Sequence, residues 1–387
     1  MYKLSYQPLF SLIRDHYQTE GFIPLHAPKF DEQEKALLNE CIDSTFVSSV
    51  GKFVDEFEQQ VADYTGAKYA VAVTNGTMGL FLALKTVGVE SNDLVLTQSL
   101  TFVATANAIS MLGAKPVFID VSRDSLGLCP QSLASFLEHE TYQQDNQTFH
   151  KQTHQKISAC VPMHTLGFSV EIDKIMAICK QYNIKVVEDA AESLGSFYQD
   201  KHTGTFGDFG VFSFNGNKIL TTGGGGMLIT NNETLAKKAK HLSTTAKIPH
   251  QWLFEHDEIG YNLRMPNINA ALGVAQMNKL NGFLDEKHLL AQKYQYFSQK
   301  VPKGVPPWVL FSPKIVQKAN FWLNALVFDS INERDEFLTQ AQQANIQARP
   351  LWTPMHQLEI YKHNLKTSLH NTEWLAERVV NIPSGVV

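Results

Sequence analysis

Between residues 31 and 64 the apolar positions recur at helical spacing: Leu37, Leu38, Cys41 and Ile42, then Val54, Phe57 and Val61, parted by Ser48-Ser49-Val50-Gly51. Two helices joined by a turn are predicted. The period then changes. Residues 69–73 (Tyr-Ala-Val-Ala-Val) form a short strand-like run, Asn75-Gly76 marks a turn, and the apolar stretch 77–87 suits a helix. Strand, glycine turn and helix make the first half of a βαβ unit. The exchange continues with strands expected over 94–97, 116–121, 157–162 and 185–188, and helices over 104–112 and 172–182.

This alternation implies a mostly parallel sheet covered by helices, with ligands at the carboxyl ends of its strands. The polar stretch 138–156 breaks the pattern and is expected to make a surface excursion. After the apolar runs 209–214 and 226–230 the chain turns helical over 269–300, and beyond Val301 it shifts to shorter elements. Three segments follow: an N-terminal arm (1–30), a large domain (31–265) and a small C-terminal domain (266–387).

At 387 residues the chain exceeds what one core usually supports, so two bodies and a cleft are expected. A net charge of -5 and the lack of a Lys/Arg-rich run argue against a nucleic-acid partner and favour small molecules. Cys41, Cys129, Cys160 and Cys179 are scattered without a CxxC pair, so neither a metal site nor a disulfide framework is expected. No apolar run approaches the ~20 residues that span a bilayer, and the first residues lack the apolar core of a signal peptide. A cytoplasmic protein with no membrane partner is the default expectation.

Three motifs carry chemistry. In Ser213-Phe-Asn-Gly-Asn-Lys218-Ile-Leu-Thr-Thr-Gly223-Gly-Gly-Gly226, a lysine follows an apolar run and precedes four glycines, where backbone can approach a ligand closely. Lysine can form an imine with an aldehyde cofactor and shuttle a proton at carbon. By itself the segment reads equally as a glycine-rich loop with a solvated lysine. In Val186-Val-Glu-Asp189-Ala-Ala-Glu192-Ser, a strand delivers an acid that suits a pyridinium nitrogen, and also suits a helix N-cap. Thr74-Asn75-Gly76-Thr77 offers helix-start amides and a hydroxyl to a phosphate, or ordinary capping. Together they supply an amine, an acid and a phosphate cradle, the attachments that pyridoxal phosphate needs. Phe102 adds an apolar face for its ring, or a core phenylalanine.

The ordered set Asn75-Gly-Thr77, Thr101-Phe-Val-Ala-Thr-Ala-Asn107, Val186-Val-Glu-Asp-Ala190, Ser213-Phe-x-x-x-Lys218 and Gly260-Tyr-Asn-Leu-Arg264-Met resembles the DegT/StrS-type sugar aminotransferases. The likeness runs from about Pro24 to the C-terminus. It implies the fold type I of pyridoxal-phosphate enzymes: an α/β architecture with a mixed, mostly parallel seven-stranded sheet, helices on both faces and a smaller α+β C-terminal domain. It also implies a homodimer with active sites at the subunit interface. Lys218 looks like the Schiff-base lysine, Asp189 the partner of the pyridine nitrogen, and Gly76 with Thr77 the phosphate cradle. Ser213 resembles a further phosphate contact, Asn262 the asparagine reaching the phosphate from the second subunit, and Phe102 the stacking aromatic. Glu192 stands where many relatives carry glutamine or histidine near the cofactor's phenolic oxygen, and would donate there only if protonated.

Within the family, Val47-Ser-Ser-Val-Gly51, Glu188-Asp-Ala-Ala-Glu-Ser193, Lys201-His-Thr-Gly-Thr205, Phe214-Asn-Gly-Asn217 and Arg349-Pro-Leu-Trp-Thr-Pro-Met-His356 are similar to the legionaminic acid and bacillosamine branch. Thr45-Phe46 replaces the Gly-Trp often found before the first of these. The implied reaction moves an amino group from L-glutamate to C4 of a UDP-linked 4-keto-6-deoxy-2-acetamido sugar. GDP-4-keto-6-deoxymannose and a 3-keto sugar nucleotide are the other acceptors. His164, Arg264, Arg349 and His356 are candidates for the diphosphate, the sugar or the donor's carboxylates, with His356 and Trp352 favoured for the sugar. A sugar dehydratase of this fold resembles this class with histidine in the lysine position, which Lys218 speaks against. A regulator would bring a DNA-binding segment, and an oxidoreductase a GxGxxG turn that 74–79 lacks.

Overall fold

A computed structural model describes residues 6–301, 308–315 and 317–387. Residues 1–5 of the expected arm, and 302–307 and 316 of the expected small domain, lie outside the described residues.

The main sheet runs in the order Tyr69–Val73, Gly226–Thr230, Phe209–Ser213, Lys185–Asp189, Lys156–Val161, Leu94–Gln98, Lys115–Ile119. Gly226–Thr230 is antiparallel to both of its neighbours, and the remaining pairs along this path are parallel. Its central strands are buried almost end to end, as expected of a sheet covered on both faces. Helix Gly76–Thr86 is apolar on nearly every side and packs against the sheet, with Leu80, Leu82, Ala83 and Leu84 buried beside Val71, Val211 and Leu228. Because this helix is wedged in the core, its N-terminus is held in one place.

The polar stretch 138–156 is an ordered hairpin. Thr141–Gln144 and Gln147–His150 pair across a two-residue turn, and the second strand adds to the start of Lys156–Val161. Asp145 and Asn146 both take positive φ (50° and 57°), the conformation that two-residue hairpin turns demand.

A second, antiparallel sheet of Trp308–Leu310, Asn324–Phe328, Val379–Ile382 and Arg349–Pro350 organises the smaller body. The N-terminal segment belongs to it. Helix Gln7–Tyr17 buries Leu9, Phe10 and Ile13 against Leu290, Trp308, Phe328 and Phe337, so the expected arm is part of the small domain's core. The 34-residue helix Asn267–Lys300 serves both bodies. Its first half packs Ala270, Ala271 and Val274 with Phe53, Phe57 and Val61, and its second half packs Leu290 and Tyr294 with the small domain. A boundary at 266 therefore divides the chain at the start of a shared strut. Among the described residues no helix is long and apolar enough to cross a membrane.

Candidate active site

The carboxyl ends of Tyr69–Val73, Leu94–Gln98, Lys185–Asp189 and Phe209–Ser213 open onto a cavity of about 550 Å³ between the two bodies. Its wall includes Gly76, Thr77, Phe102, Asp189, Glu192, Ser213, Lys218, Arg349 and Trp352.

The phosphate-sized corner is built by close approach. Asn75 caps helix Gly76–Thr86 by accepting from the Met78 amide at 2.9 Å, which leaves the first-turn amides of Gly76 and Thr77 at the cavity wall. A Cβ on Gly76 would lie 2.9 Å from the Ser213 Cβ, so glycine is what brings the helix start beside that hydroxyl-bearing residue. A Cβ on Gly226 would lie 2.6 Å from the Asn75 carbonyl, in the strand register that pairs Val73, Gly226 and Ser213. Amides, hydroxyls and the positive end of a helix suit an anion here.

Asp189 ends its strand fully inside the protein. Its Oδ2 accepts from Thr105 Oγ1 at 2.7 Å, and its Oδ1 accepts from the Ala191 amide at 3.2 Å. Thr105 in turn lies 2.8 Å from Thr101 Oγ1. Burial pushes the Asp189 carboxyl above its ordinary value, partly offset by the Thr105 and Ala191 hydrogen bonds and by the nearby Lys218 charge. A buried acid in this state gains from a cationic partner.

Lys218 follows Phe214, whose backbone closes the loop by pairing with Gly225 and Thr222. Its Nζ donates to Glu192 Oε1 at 3.2 Å and sits 4.2 Å from the centroid of the Trp322 ring. The other oxygen of Glu192 accepts from the Leu166 amide at 2.8 Å. Burial raises the Glu192 carboxyl, with Lys218 pulling it back down. Across the opening Phe102 is half exposed, 6.2 Å from Trp352 centroid to centroid. Its face is free to cover a planar ligand.

Other candidates lie elsewhere. His164, next to the cavity-wall Met163, is fully buried: Nδ1 accepts from the Val170 amide at 3.3 Å and Nε2 donates to Glu188 Oε2 at 3.0 Å. Glu188 also accepts from the amides of Gly204, Phe206 and Gly207. Burial works to raise this carboxyl, yet the His164 and amide donors outweigh it and hold it below its ordinary value. The expected substrate contact by His164 is thereby corrected, since both of its nitrogens are spent on the fold. His356 bonds Ser99 Oγ (2.8 Å) and Glu373 (3.3 Å) and is not on the cavity wall, so the sugar contact expected of it is corrected too. Asn262 and Arg264 bond each other at 3.2 Å on a segment that pairs with the end of Tyr69–Val73, next to the Asn75-Gly76 turn, and neither side chain is on the cavity wall.

Sequence reasoning missed Thr105, Trp322, His26 and Asn381. Thr105 carried a signal, standing four residues after Thr101 at a helix start, where the two hydroxyls share a face. Trp322, whose indole donates to the Asn217 carbonyl at 2.7 Å, comes from the other body, and no local pattern points to it.

An amine, a buried acid, a helix N-terminus with hydroxyls and an aromatic face within one cavity fit pyridoxal phosphate. Residues 28–386 match the model of the DegT/DnrJ/EryC1/StrS aminotransferase family. The chain is 37% identical to the pyridoxal phosphate-dependent aminotransferase EpsN of Bacillus subtilis (strain 168), over 94% of this chain and 91% of that protein. It is 33% identical to the GDP-perosamine synthase of Escherichia coli O157:H7, over 94% and 93% of the two. Among solved structures, the aminotransferase TlmJ from Streptoalloteichus hindustanus superposes with a TM-score of 0.84 at 26% identity, covering 94% of each chain. The chain thus belongs to the DegT/DnrJ/EryC1/StrS family and is a pyridoxal-phosphate-dependent sugar aminotransferase of fold type I.

Proposed function

We propose that the protein transfers the amino group of L-glutamate to C4 of a UDP-linked 4-keto-6-deoxy-2-acetamido sugar, for a surface glycan or a legionaminic acid or bacillosamine type of product. The observation that carries the reading is the convergence of Lys218, Asp189 and the Gly76–Thr86 helix start on one cavity. When bound, pyridoxal phosphate supplies an electron sink for the carbanion of the amino donor. Lys218 is the covalent attachment point, and its Nζ carries the proton to and from the substrate carbon. Asp189 holds the ring nitrogen protonated, Gly76, Thr77 and Ser213 hold the phosphate, and Phe102 covers the ring. Glu192 lies beside the amine and accepts its hydrogen bond. Arg349 and Trp352, both on the cavity wall, take the acceptor's charged and apolar parts.

The working unit in this reading is a homodimer in the cytoplasm, in which Asn262 reaches the phosphate in the partner's site. An outward segment with Trp252 (69% exposed), Phe254 (79%) and Ile259 (81%) just before Asn262 supports a covering second copy.

The names of the relatives favour a second reading. GDP-perosamine synthases at 31% to 33% identity point to GDP-4-keto-6-deoxymannose as acceptor. One experiment tests both. The loaded protein is titrated with L-glutamate while the cofactor's absorbance bands are scanned, then with each keto-sugar nucleotide. Glutamate is expected to convert the pyridoxal form to the pyridoxamine form, and the UDP sugar to reverse it. Reversal by the GDP sugar alone would transfer the assignment, and no response to glutamate would end it.

A further inference from the structure

The free Lys218 amine has a built resting place on the cavity wall. Nζ lies 4.2 Å from the centroid of the Trp322 ring and donates to Glu192 Oε1 at 3.2 Å. The Lys218 and Glu192 side chains are only 13% and 2% exposed. An aromatic face and a carboxylate together attract an ammonium far more than a neutral amine. The lysine's own loop is tied to the same ring, because the Trp322 indole N–H donates at 2.7 Å to the carbonyl of Asn217, the residue before Lys218.

The ring is held from several directions. Asn320 Oδ1 accepts from the Trp322 amide at 2.8 Å, and Asn320 Nδ2 donates to the carbonyls of Glu192 (2.9 Å) and Leu194 (2.8 Å). The Asn320 amide donates to Ser196 Oγ at 3.0 Å, and Lys287 Nζ donates to the Trp322 carbonyl at 3.1 Å. Gly167, at φ 89°, makes room for this bridge, since a Cβ there would collide with Asn320 Oδ1. Asn320 thus joins the tryptophan of the small body to the glutamate of the large one and fixes their spacing around the amine.

The spacing matters because Lys218 changes partner during turnover. In the glutamate half-reaction Lys218 gives up its bond to the cofactor carbon. Glutamate's nitrogen and the electron pair of its Cα–H bond pass to the cofactor, Lys218 Nζ carries the Cα proton there, and a water supplies the keto oxygen of 2-oxoglutarate. The lysine is left as a free amine. Bonded to the cofactor, Nζ keeps at most one hydrogen; released and protonated, it has three for Glu192 and the Trp322 face.

We infer that Trp322 is a positioning residue that, with Glu192, receives the released Lys218 amine and thereby favours the form of the enzyme in which the cofactor carries the amino group. This deepens the proposed function and rests on its choice of glutamate as donor and Lys218 as attachment point.

The test equilibrates the full-length, cofactor-loaded protein with mixtures of L-glutamate and 2-oxoglutarate and reads the pyridoxal and pyridoxamine forms from their absorbance. Whatever Trp322 does equally for both forms cancels in this equilibrium, so a merely structural role leaves it unmoved. Trp322→Leu removes the aromatic face and is expected to lower the midpoint ratio of 2-oxoglutarate to glutamate by about three- to thirtyfold. Trp322→Phe, which keeps a face, is expected to fall between that variant and the parent. Tetrafluorotryptophan at position 322 keeps the ring's shape and N–H while weakening its negative face, so it is expected to shift the midpoint in the same direction even where the leucine variant fails to fold. As a readout independent of turnover, pyridoxal phosphate and pyridoxamine phosphate are each titrated onto cofactor-free protein. The ratio of their dissociation constants is expected to move in favour of pyridoxal phosphate by the same factor. A midpoint and a ratio that stay within about twofold of the parent in the leucine and fluorinated proteins, or that move the other way, overturn the inference. A parent that glutamate does not convert overturns the donor assignment instead, and the ratio of dissociation constants, which needs no glutamate, still decides the role of Trp322.

Discussion

Asp189 and Glu192 are three residues apart, both buried, and both raised by that burial, yet their partners give them different work. Asp189 is buttressed by neutral donors, Thr105 and the Ala191 amide, and has Lys218 only at a distance. A cation placed against it would restore its charge. Asp189→Asn is therefore expected to lower kcat by on the order of 10²–10³-fold while cofactor still binds, read by turnover alongside the cofactor's absorbance. Thr105→Val removes a hydrogen bond that favours the ionised carboxyl, so the Asp189 carboxyl should titrate higher. The acid limb of the kcat/KM profile is expected to move to higher pH, and an unmoved limb would detach Thr105 from the chemistry. Glu192 instead contacts the Lys218 amine directly at 3.2 Å. Glu192→Gln, which keeps a polar group at that place, is expected to retain more activity than Glu192→Leu in the same assay, and equal losses would assign Glu192 to packing alone.

At the scale of elements, the strand-to-helix turn at Asn75-Gly76 shows how tightly the site is built. Gly76→Ala would put a Cβ 2.9 Å from that of Ser213 and push the helix start away from the strand end. A stability loss of about 1–3 kcal/mol and at least tenfold weaker cofactor binding are expected. Urea melts and cofactor titration measure the two. This turn was legible in the sequence because it combines local signals: an apolar strand, a glycine and a long apolar helix. The hairpin at 141–150 was less legible. Its strands are polar, Thr-Tyr-Gln-Gln and Gln-Thr-Phe-His, and hydrophobic period is silent about an edge that faces solvent, although Asp145-Asn146 carries the turn chemistry. His164 and His356 were misread for a related reason. A histidine near a functional motif advertises chemistry, but whether its nitrogens are free depends on remote partners such as Glu188 and Glu373.

The whole molecule is tied together by pairings of high sequence separation, which local pattern cannot reveal: helix Gln7–Tyr17 in the far domain's core, and helix Asn267–Lys300 running through both bodies. Lys287 sits on this shared helix, fully buried, with Nζ donating to the carbonyls of Ser384 (2.5 Å), Trp322 (3.1 Å) and Phe321 (3.4 Å). Ser384 anchors the His26 segment and Trp322 lies over Lys218, so this amine supports the cleft wall from behind. Burial lowers its pKa from 10.5 to about 7. Between those two values the unfolded chain holds a proton that the folded protein has shed, so the contribution of this group to stability rises with pH across that window and levels off above it. Lys287→Met removes the titration. Between pH 7 and pH 10 the unfolding free energy of the parent, relative to that of Lys287→Met, is expected to climb by on the order of 2–4 kcal/mol, less than the full shift because the three carbonyls favour the ammonium. Urea midpoints at matched ionic strength read this directly. Parallel curves for the two proteins would mean that the amine stays charged in the fold, held by its carbonyl cage against the cost of burial.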